Sequence, residues 1–444
     1  MQLPLDPPVS PSQLERMAAA LGSTPPVTHA AAHVYPAAAP AYTASPCEAR
    51  ERPETRELRL YVHIPFCNYK CNFCYYATRI GDTRAQQERY VAALERELEW
   101  VEPGARLSQL FVGGGTPTAL PADLLGRTLA RIFEVMPPTG EHGHTVEASP
   151  ESISAEHVAV LREGGVHRVS MGVQSLDPRV LDGVHRRHDQ RQVMEAVELL
   201  IGGGLILNVD LMYGLPGQSE ESFAQDLETL AESGAHSVTL YDLRVTNRTP
   251  LGRSLREEER LDLLHLLRWR AFVGRVTAEF GFTQTRWHTF KRLDSIAARH
   301  ERATCFDAQM QGYQLGIGMS ARSHLRTTIY RNHDRMHEYM RRVEAGASPV
   351  EQVFRLGGQD LQTQFIARSL GDGKPLERRA YEHAFRRPVE ADYGALLARL
   401  TAAGLVEDRG EVLALSDLGR LVYDRVMLQF YPRHAIEWLW AQAA

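Results

Sequence analysis

Three cysteines lie close together in the stretch FCNYKCNFCYYA, at Cys67, Cys71 and Cys74. Three thiolates at spacings of four and three residues can bind three irons of a 4Fe–4S cluster and leave the fourth iron open to a ligand, whereas four thiolates would close the cluster into an electron carrier. A zinc site of these cysteines and His63 is the alternative. His63 lies beside Tyr61 in a predicted strand, which favours a buried structural histidine and therefore the iron–sulfur cluster.

Composition limits the function further. The chain has 444 residues, 43% of them hydrophobic, which is enough for a large core and two to three domains. A formal net charge of -5 leaves no broad basic surface, so we expect no nucleic-acid partner. No apolar run is long enough for a membrane span, and the N-terminus lacks the features of a secretory signal. The other two cysteines, Cys47 and Cys305, are isolated, so we expect a reduced, cytoplasmic protein without disulfides.

Strand and helix patterns alternate after residue 57, and this order positions the cysteines. Six β-rich segments read LRLYVHIPF, QLFVGGG, HTVEASP, RVSMGVQS, LILNVDLMYG and HSVTLYDL. Five amphipathic segments lie between them, each long enough to cross over a parallel sheet: QQERYVAALERELEWV, ADLLGRTLARIFEVM, AEHVAVLREGG, RQVMEAVELLIGGG and EESFAQDLETLAESG. Right-handed crossovers curl such a sheet into a full or partial β/α barrel with its active site at the carboxyl ends of the strands. The three cysteines follow the first strand, at that end.

Four segments differ in composition and predict the domain organisation. Residues 1–57 are rich in Pro and Ala and predict an arm with a short helix around 11–21, either a disordered tail or a lid over the active site. Residues 58–255 form the predicted barrel core. Residues 256–345 begin with a long helix and continue as a polar, loop-rich barrel extension. Residues 346–444 predict a winged-helix-like α+β domain, with a hairpin around Asp408, Arg409 and Gly410 and a helix capped at Ser416. Because acids are as frequent there as bases, we expect this domain to pack or to cover substrate rather than to bind DNA.

Several separated motifs then identify a family. YVHIPFC, GGGTPT, SMGVQS and DLMYGLPGQ occur in this order, with CxxxCxxC completing the first. This set resembles the radical S-adenosylmethionine (radical SAM) enzymes, and within them the subgroup typified by oxygen-independent coproporphyrinogen III oxidase. The resemblance covers about residues 58–345, and the winged-helix-like end is also similar. It implies an α/β fold with a partial (β/α)6 barrel, a 4Fe–4S cluster and S-adenosylmethionine (SAM).

The resemblance also assigns site residues. It implies that Tyr61, Gly114 and Glu147 contact the cluster-bound SAM, with Tyr61 at the catalytic centre. Members of the subgroup hold a second SAM, and its contacts correspond to Phe73, Gly115, Thr116, Gln174, Arg186 and Asp210. The glycines would let backbone groups approach a ligand closely, and Arg186 could pair with a carboxylate. Taken alone, Phe73 could equally be a core residue.

Other positions depart from the porphyrinogen oxidases. Those enzymes usually continue after the third cysteine as C-G-C-N, whereas here Cys74 is followed by Tyr75 and Tyr76. RWHT at 286–289 stands where they carry an Asp-His pair. Arg244 and Arg322 correspond to small or apolar positions that face the second cofactor. We therefore expect a different substrate pocket, in which the arginines either recognise an anion or form ordinary ion pairs.

These departures favour another branch of the subgroup, the class C radical methyltransferases. The resemblance to that branch implies that two SAM molecules methylate or cyclopropanate an sp2 carbon of a heteroaromatic or natural-product substrate, possibly borne on a peptide. His288 is a candidate base, with a structural histidine as the alternative. Tyr75 and Tyr76 could form an aromatic wall against a planar substrate, or could simply be packing.

Two alternatives remain open from the sequence. One is oxidative decarboxylation of a porphyrinogen propionate, and the other is a haem chaperone that binds haem with little turnover. We expect the methyltransferase, and equally the decarboxylase, to need an electron donor such as a flavodoxin or ferredoxin.

Overall fold

The computed structural model describes residues 10–24, 42–43, 55–140, 143–245, 249–256, 263–293, 313–325 and 327–443. The strands, in chain order, are β1 (Tyr42–Thr43), β2 (Glu57–Ile64), β3 (Phe66–Cys67), β4 (Arg79–Ile80), β5 (Arg106–Gly114), β6 (Thr145–Ala148), β7 (Arg168–Gln174), β8 (Ile206–Tyr213), β9 (Ser237–Asp242), β10 (Thr283–Gln284), β11 (Thr289–Lys291), β12 (Gln314–Ile317), β13 (Arg322–Leu325), β14 (Thr328–Asn332), β15 (Val350–Arg355), β16 (Leu376–Glu377), β17 (Val406–Asp408) and β18 (Val412–Leu415). Cys47 and Cys305 lie outside the described residues.

Helices alternate with the strands in the first half of the chain and dominate its end. They are α1 (Pro11–Leu21), α2 (Arg84–Leu98), α3 (Ala122–Val135), α4 (Ala155–Glu163), α5 (Pro178–Gly183), α6 (Gln190–Gly202), α7 (Glu220–Glu232), α8 (Pro250–Ser254), α9 (Leu263–Glu279), α10 (Met336–Glu344), α11 (Gly358–Ser369), α12 (Arg378–Phe385), α13 (Val389–Ala402), α14 (Asp417–Leu421), α15 (Tyr423–Leu428) and α16 (Arg433–Ala443). Each helix among these is too short or too polar to cross a membrane.

One large sheet organises the molecule. Its strand order is β1-β15-β14-β13-β12-β2-β5-β6-β7-β8-β9-β11-β10, and the block from β12 to β9 is parallel throughout. The predicted α/β class with a partial (β/α)6 barrel is confirmed, and all six predicted strands and five crossover helices are present. A seventh parallel strand, β12, pairs with β2 on the side opposite β5.

The amino-acid pattern explains which face of the sheet meets the helices. In β2, Leu58, Leu60, Val62 and Ile64 alternate along the strand and join the main core with residues of the crossover helices. The intervening side chains, such as Tyr61, point to the other face. We call this second face the inner face and the space beside it the lumen. Its partly buried positions on the parallel strands include Tyr61, Phe111, Glu147, Arg168, Asp210 and Tyr241.

Local capping fixes where the crossover helices begin. Thr83 and Gln86 form a capping box at the start of α2, and Asp189 and Gln192 form another at the start of α6. Such reciprocal hydrogen bonds satisfy backbone N–H groups that the first helical turn leaves unpaired. The helices therefore start at fixed points after the strands, which keeps the strand ends together at the site.

The region from 313 to 345 differs from the prediction. A polar, loop-rich stretch was expected, but β12, β13, β14 and α10 occupy it. The reason is that Arg322 and His324 alternate with buried Ser323 and Leu325 along β13. Their polar side chains face the lumen rather than bulk solvent, so the strand lacks an apolar signature. Residues 257–262 of the predicted long helix lie outside the described residues, and the rest forms α9.

The C-terminal part has its own core. A second hydrophobic cluster joins α11, α13 and α15 with the strands β17 and β18. A three-stranded sheet in the order β16-β18-β17 accompanies it, with a hairpin at Asp408 to Val412 as predicted. The predicted cap is also present, because the Ser416 hydroxyl accepts a hydrogen bond from the Gly419 N–H at 2.9 Å.

The described parts of the N-terminal arm pack on the rest of the chain. The helix predicted at 11–21 is present as α1, and its Met17 and Leu21 are buried in the second cluster. The Gln429 side chain donates to the Leu21 carbonyl at 2.8 Å, and β1 pairs with β15. These segments are therefore structured. The lid role and the domain boundaries stay predictions.

Candidate active site

The cysteine loop lies where β2 ends and β5 ends beside it. Cys67 closes the short strand β3, and Cys71 and Cys74 follow in the loop. The Thr116 hydroxyl lies 3.6 Å from the Cys67 Sγ, and the Arg186 guanidinium lies 3.5 Å from the Cys71 Sγ. Donors thus point at two of the three sulfurs, as suits thiolates that carry negative charge.

The electrostatics of the thiols suit a cluster rather than free cysteines. Burial, together with the neighbouring Cys74 and Cys71, raises the pKa of the Cys67 thiol to about 12. Burial also raises the pKa of Cys74. Thiolates in such surroundings need a positively charged partner, and iron supplies one. The three cysteines therefore fit a 4Fe–4S cluster, and they are the residues that would bind it.

His63 does not act as a further ligand. Its Nε2 lies 2.9 Å from the Ala77 carbonyl and so carries the proton, which leaves Nδ1 to accept from the Tyr61 hydroxyl at 3.0 Å. Burial lowers the pKa of His63 to about 4. The structural role expected for this histidine is confirmed. Among the described residues, no three Cys, His, Asp or Glu side chains form a group that could hold a single metal ion.

The glycine run at 113–115, which contains the end of β5, is required by close packing. A Cβ on Gly113 would lie 2.5 Å from Glu147 Oε2, and one on Gly114 would lie 2.5 Å from the His63 ring. Gly114 also has a φ of 115°, which side chains disfavour. A Cβ on Gly115 would lie 2.6 Å from the Pro65 carbonyl oxygen. The end of β5 therefore packs too closely against Glu147, His63 and Pro65 to leave room for a side chain at these three positions. The predicted approach of a ligand to Gly114 and Gly115 stays a prediction.

Two buried carboxyl groups face the lumen beneath this loop. Glu147 accepts a hydrogen bond from the Gly114 N–H at 3.0 Å, and burial and the nearby Asp210 raise its pKa to about 7. Burial raises the pKa of Asp210 to about 6, although Arg168 and hydrogen bonds from Ser170 oppose the shift. The pair forms an acidic side of the lumen, which suits a cationic ligand such as a sulfonium or an ammonium group.

Tyr61 lies next to this pair. Its ring stacks on Phe111 at a centroid distance of 6.2 Å, and burial followed by the Glu147 charge raises its pKa well above the ordinary value. The hydroxyl therefore stays protonated and serves as a donor. Its predicted contact with SAM is consistent with this position, and its catalytic role stays a prediction.

Gln174 and Arg186 meet at the end of β7. Gln174 has a φ of 73°, and the strand register shifts between Gly172 and Gln174. An added Cβ on Gly172 would lie 3.0 Å from the Gln174 Nε2 and 3.8 Å from an Arg186 nitrogen. Strained backbone of this kind is common where a side chain must be aimed at a ligand. The Arg186 guanidinium donates to the Gly172 carbonyl and lies 5.7 Å from the Tyr69 ring centroid.

The aromatic residues of the loop take two different positions. Phe73 packs against a small apolar cluster with Met212 and Leu243, so at least part of its ring is core. Tyr75 and Tyr76 stack on one another at 4.7 Å and remain 42% and 55% exposed. An exposed stacked pair beside the cysteines provides an aromatic surface. Whether it contacts substrate stays a prediction.

Arg244 has a structural role that the sequence left open. It forms ion pairs of 2.8 Å with both Asp242 and Asp424, and Arg270 pairs with the same Asp424 at 3.1 Å. This buried network joins the end of β9 and α9 to α15. Of the two expectations for Arg244, the ordinary ion pair is therefore the one that the contacts support, because its guanidinium is already bound by carboxylates.

His288 is likewise engaged, which corrects its proposed role as a base. Its Nδ1 donates to the Leu240 carbonyl at 3.1 Å, and its Nε2 accepts from the Tyr423 hydroxyl. The neighbouring Trp287 stacks on Tyr423 at 4.8 Å, and Arg286 pairs with Asp372 at 2.9 Å. The RWHT segment is a junction between the sheet and the C-terminal part, and the buried imidazole has no nitrogen left for a substrate proton.

Arg322 lies on the inner face of β13, opposite Arg331 of β14. Burial and the Arg331 charge lower its pKa to about 10. Sequence reasoning missed three further residues on this face, Arg168, Asn208 and His324, and it also missed Arg368 of α11. A polar residue inside an otherwise apolar strand was the available signal for Arg168 and Asn208, whereas Arg368 lies on α11 and comes close to His324 only in the folded chain.

Comparison with known proteins agrees with this geometry. A family model described as the radical SAM superfamily matches residues 61–230. The heme chaperone HemW of Mycobacterium tuberculosis is 30% identical over 383 residues, which cover 83% of this chain and 93% of the relative. HemW of Lactococcus lactis is 28% identical and covers 83% and 97%. The solved structure of coproporphyrinogen III oxidase HemN from Escherichia coli has a TM-score of 0.76 at 25% identity and covers 93% of this chain and 98% of that chain.

The chain belongs to the radical SAM family of HemW and HemN. A 4Fe–4S cluster and SAM are therefore its expected cofactors, and the cysteine loop fits them. The expectation of a class C methyltransferase is wrong, because these relatives are heme chaperones and coproporphyrinogen oxidases. The departures at Tyr75, Tyr76 and RWHT misled the sequence argument. The RWHT segment contacts the C-terminal part and does not report on the reaction.

Proposed function

We propose that this protein binds a carboxylate-bearing tetrapyrrole in its lumen and oxidatively decarboxylates a propionate side chain, in the manner of oxygen-independent coproporphyrinogen III oxidase. The observation that carries the proposal is the similarity to the HemN structure over 93% of this chain, with Tyr61, Glu147 and Asp210 on the inner face beneath the cysteine loop. Overall, the propionate gives a hydrogen atom to the 5'-deoxyadenosyl radical, releases carbon dioxide, passes one electron to an external one-electron acceptor, and becomes a vinyl group.

The roles of the chain's own residues follow from their contacts. Cys67, Cys71 and Cys74 would bind the cluster, which when bound supplies the electron that cleaves SAM to a 5'-deoxyadenosyl radical. The Gly114 N–H orients Glu147 toward the lumen, where this carboxyl and the Tyr61 hydroxyl can hold the polar groups of SAM.

A second SAM is a further part of the proposal. Its candidate contacts are Phe73, Gly115, Thr116, Gln174, Arg186 and Asp210. The buried Arg186 Nε has no hydrogen-bond partner among the described residues, and the strained Gln174 lies next to it. Equilibrium dialysis of the reconstituted protein should then find two SAM per chain, and about one for Asp210→Ala. A flavodoxin or ferredoxin is the proposed electron donor.

Haem delivery is the second candidate, because the HemW relatives are matched over 97% and 93% of their lengths. One anaerobic experiment separates the two functions. The reconstituted protein is supplied with reductant, SAM and coproporphyrinogen III, and the products are quantified by mass spectrometry. Substrate-dependent 5'-deoxyadenosine with carbon dioxide supports decarboxylation. A parallel titration with haem that shows stoichiometric binding, together with no turnover of coproporphyrinogen, would replace it with the chaperone function.

A further inference from the structure

Four cationic or titratable side chains gather on the side of the lumen away from Glu147 and Asp210. Arg59 of β2 pairs in register with Gln314 of β12, and Gln314 pairs with His324 of β13. Residues opposite one another on neighbouring strands point to the same face, so Arg59 and His324 share the inner face. Arg322 lies two residues before His324 and shares that face.

The member of this group nearest to Tyr61 along the sheet is Arg322. Gly316 pairs with Tyr61, and a Cβ on Gly316 would collide with the Arg322 backbone. Arg322 therefore occupies the row of the sheet that contains Tyr61, and Arg59 and His324 lie one row deeper. A ligand in contact with Tyr61 would therefore lie beside Arg322, on the cysteine-loop side of Arg59 and His324.

Arg368 joins the group from α11 in the C-terminal part. Burial and then the Arg59 charge lower the pKa of Arg368 to about 10. Burial, followed by Arg368, Arg322 and Arg59, lowers the pKa of His324 to about 3. The four side chains are thus close enough to repel one another, although they come from three separate parts of the chain.

Two members of the group, Arg368 and His324, lack the partners that Arg244 and Arg270 have. Arg244 and Arg270 are both paired with Asp242 and Asp424. Among the described residues, neither the Arg368 guanidinium nor the His324 imidazole has a hydrogen-bond or ion-pair partner. A guanidinium that is mostly removed from water without an anion destabilises the folded state, so its retention needs another explanation.

A ligand anion provides that explanation. Arg322, His324 and Arg368 each keep part of their surface exposed, and the two on β13 face the lumen. Planar guanidinium groups bind carboxylates through two parallel hydrogen bonds, and a neutral imidazole can add a third. The lumen is then polarised, with an acidic side at Glu147 and Asp210 and a basic side at this group.

We propose that Arg59, Arg322, His324 and Arg368 form a carboxylate-binding subsite that holds and orients the molecule bound in the lumen. The assignment of the carboxylate to a tetrapyrrole propionate rests on the proposed function, and the carboxylate of a SAM molecule is the other source of the same chemistry.

The subsite is tested with Arg368→Met in the reconstituted protein under anaerobic conditions. The probe is tricarballylate, a small tricarboxylate, compared with sodium chloride at equal ionic strength. Wild type should unfold at a higher temperature in tricarballylate, because a ligand that binds the native state stabilises it. The variant should lose most of this shift and, in chloride, should be at least as stable as wild type. Arg433→Met is the control and should keep the full shift. Its side chain is 92% exposed and lies on α16 rather than on a lumen strand.

Two results would overturn the subsite. One is an equal tricarballylate shift in wild type and Arg368→Met. The other is a variant that is markedly less stable than wild type in chloride, since that is the behaviour of a structural arginine.

The source of the carboxylate is found by titrating coproporphyrin III and SAM separately. A loss of about tenfold in coproporphyrin III affinity for Arg368→Met, with SAM binding unchanged, assigns a substrate carboxylate. The reverse pattern assigns a SAM carboxylate, and both patterns support the subsite. If coproporphyrin III and haem fail to bind wild type while the tricarballylate shift is present, the tetrapyrrole function fails and the subsite stands.

Discussion

The Arg186 guanidinium lies 3.5 Å from the Cys71 Sγ, although 115 residues separate them in the chain. Its other terminal nitrogen donates to the Gly172 carbonyl at the end of β7. One arginine thus connects a predicted cluster ligand to the strand end where Gln174 is strained, and it places a positive charge beside the sulfur.

We expect this charge to raise the reduction potential of the cluster. Positive charge and hydrogen bonds near the sulfurs favour the reduced form. Arg186→Met should therefore lower the potential by roughly 60 mV, a tenfold change for a one-electron couple. An anaerobic redox titration followed by electron paramagnetic resonance measures it. Arg187→Met is the matched control, because Arg187 also lies over the Tyr69 ring, at 5.6 Å, but has no hydrogen bond to a sulfur. Equal potentials in both variants and wild type would exclude an electrostatic role for Arg186.

Gly114 should be essential for the shape of the cysteine loop. An added Cβ would lie 2.5 Å from the His63 ring, and a φ of 115° is strained for any side chain. Gly114→Ala should reduce the iron bound per chain after reconstitution and should lower stability by about 2 kcal/mol or more. Gly274→Ala is the control, because a Cβ there meets no atom within 4 Å and the residue lies inside α9. It should be neutral or stabilising by about 0.5–1 kcal/mol. Full iron content in Gly114→Ala would contradict the packing argument.

The parallel strands were predictable because their signal is local. Along β2, alternate apolar residues face the helices, and β5 to β9 carry comparable runs. The capping boxes at Thr83 and Asp189 and the glycines at the end of β5 are also local features. The cysteine triplet and its strand could therefore be placed together from the sequence.

The rest depends on contacts between distant segments. β12 pairs with β2 from more than 250 residues away, and its short sequence QLGI has no strong periodicity. Arg244 was equally open to ligand binding or to ion pairing until Asp424 was seen beside it. Arg368 lies near the end of a helix, where a basic residue is ordinary, and only the fold brings it to Arg59 and His324.

The buried ion network should be a major source of stability. Asp424 pairs with Arg270 at 3.1 Å and with Arg244 at 2.8 Å, and these charges lower its pKa. Asp424→Asn leaves two guanidinium groups short of charge, and removing one partner of a buried pair typically costs about 3–5 kcal/mol. Urea unfolding measures the loss. Glu390→Gln is the control, because it breaks the more exposed pair with Arg378 and should cost about 1 kcal/mol or less. Equal losses in the two variants would show that the network is not stabilising as a unit.

Glu147 should make stability depend on pH. Burial and Asp210 raise its pKa to about 7, whereas its ordinary value is 4.5. As the pH rises, the unfolded chain therefore gives up this proton before the folded chain does. The free energy of unfolding is not reduced by Glu147 below pH 4.5, and it falls between pH 4.5 and pH 7 as only the unfolded state ionises freely. Glu147→Gln removes this loss, so the variant should gain about 3 kcal/mol relative to wild type between pH 4.5 and pH 8. Urea unfolding of the cluster-free proteins across this range gives the difference at each pH. A difference between Glu147→Gln and wild type that does not change with pH would mean that this carboxyl has the same pKa in the folded and the unfolded chain.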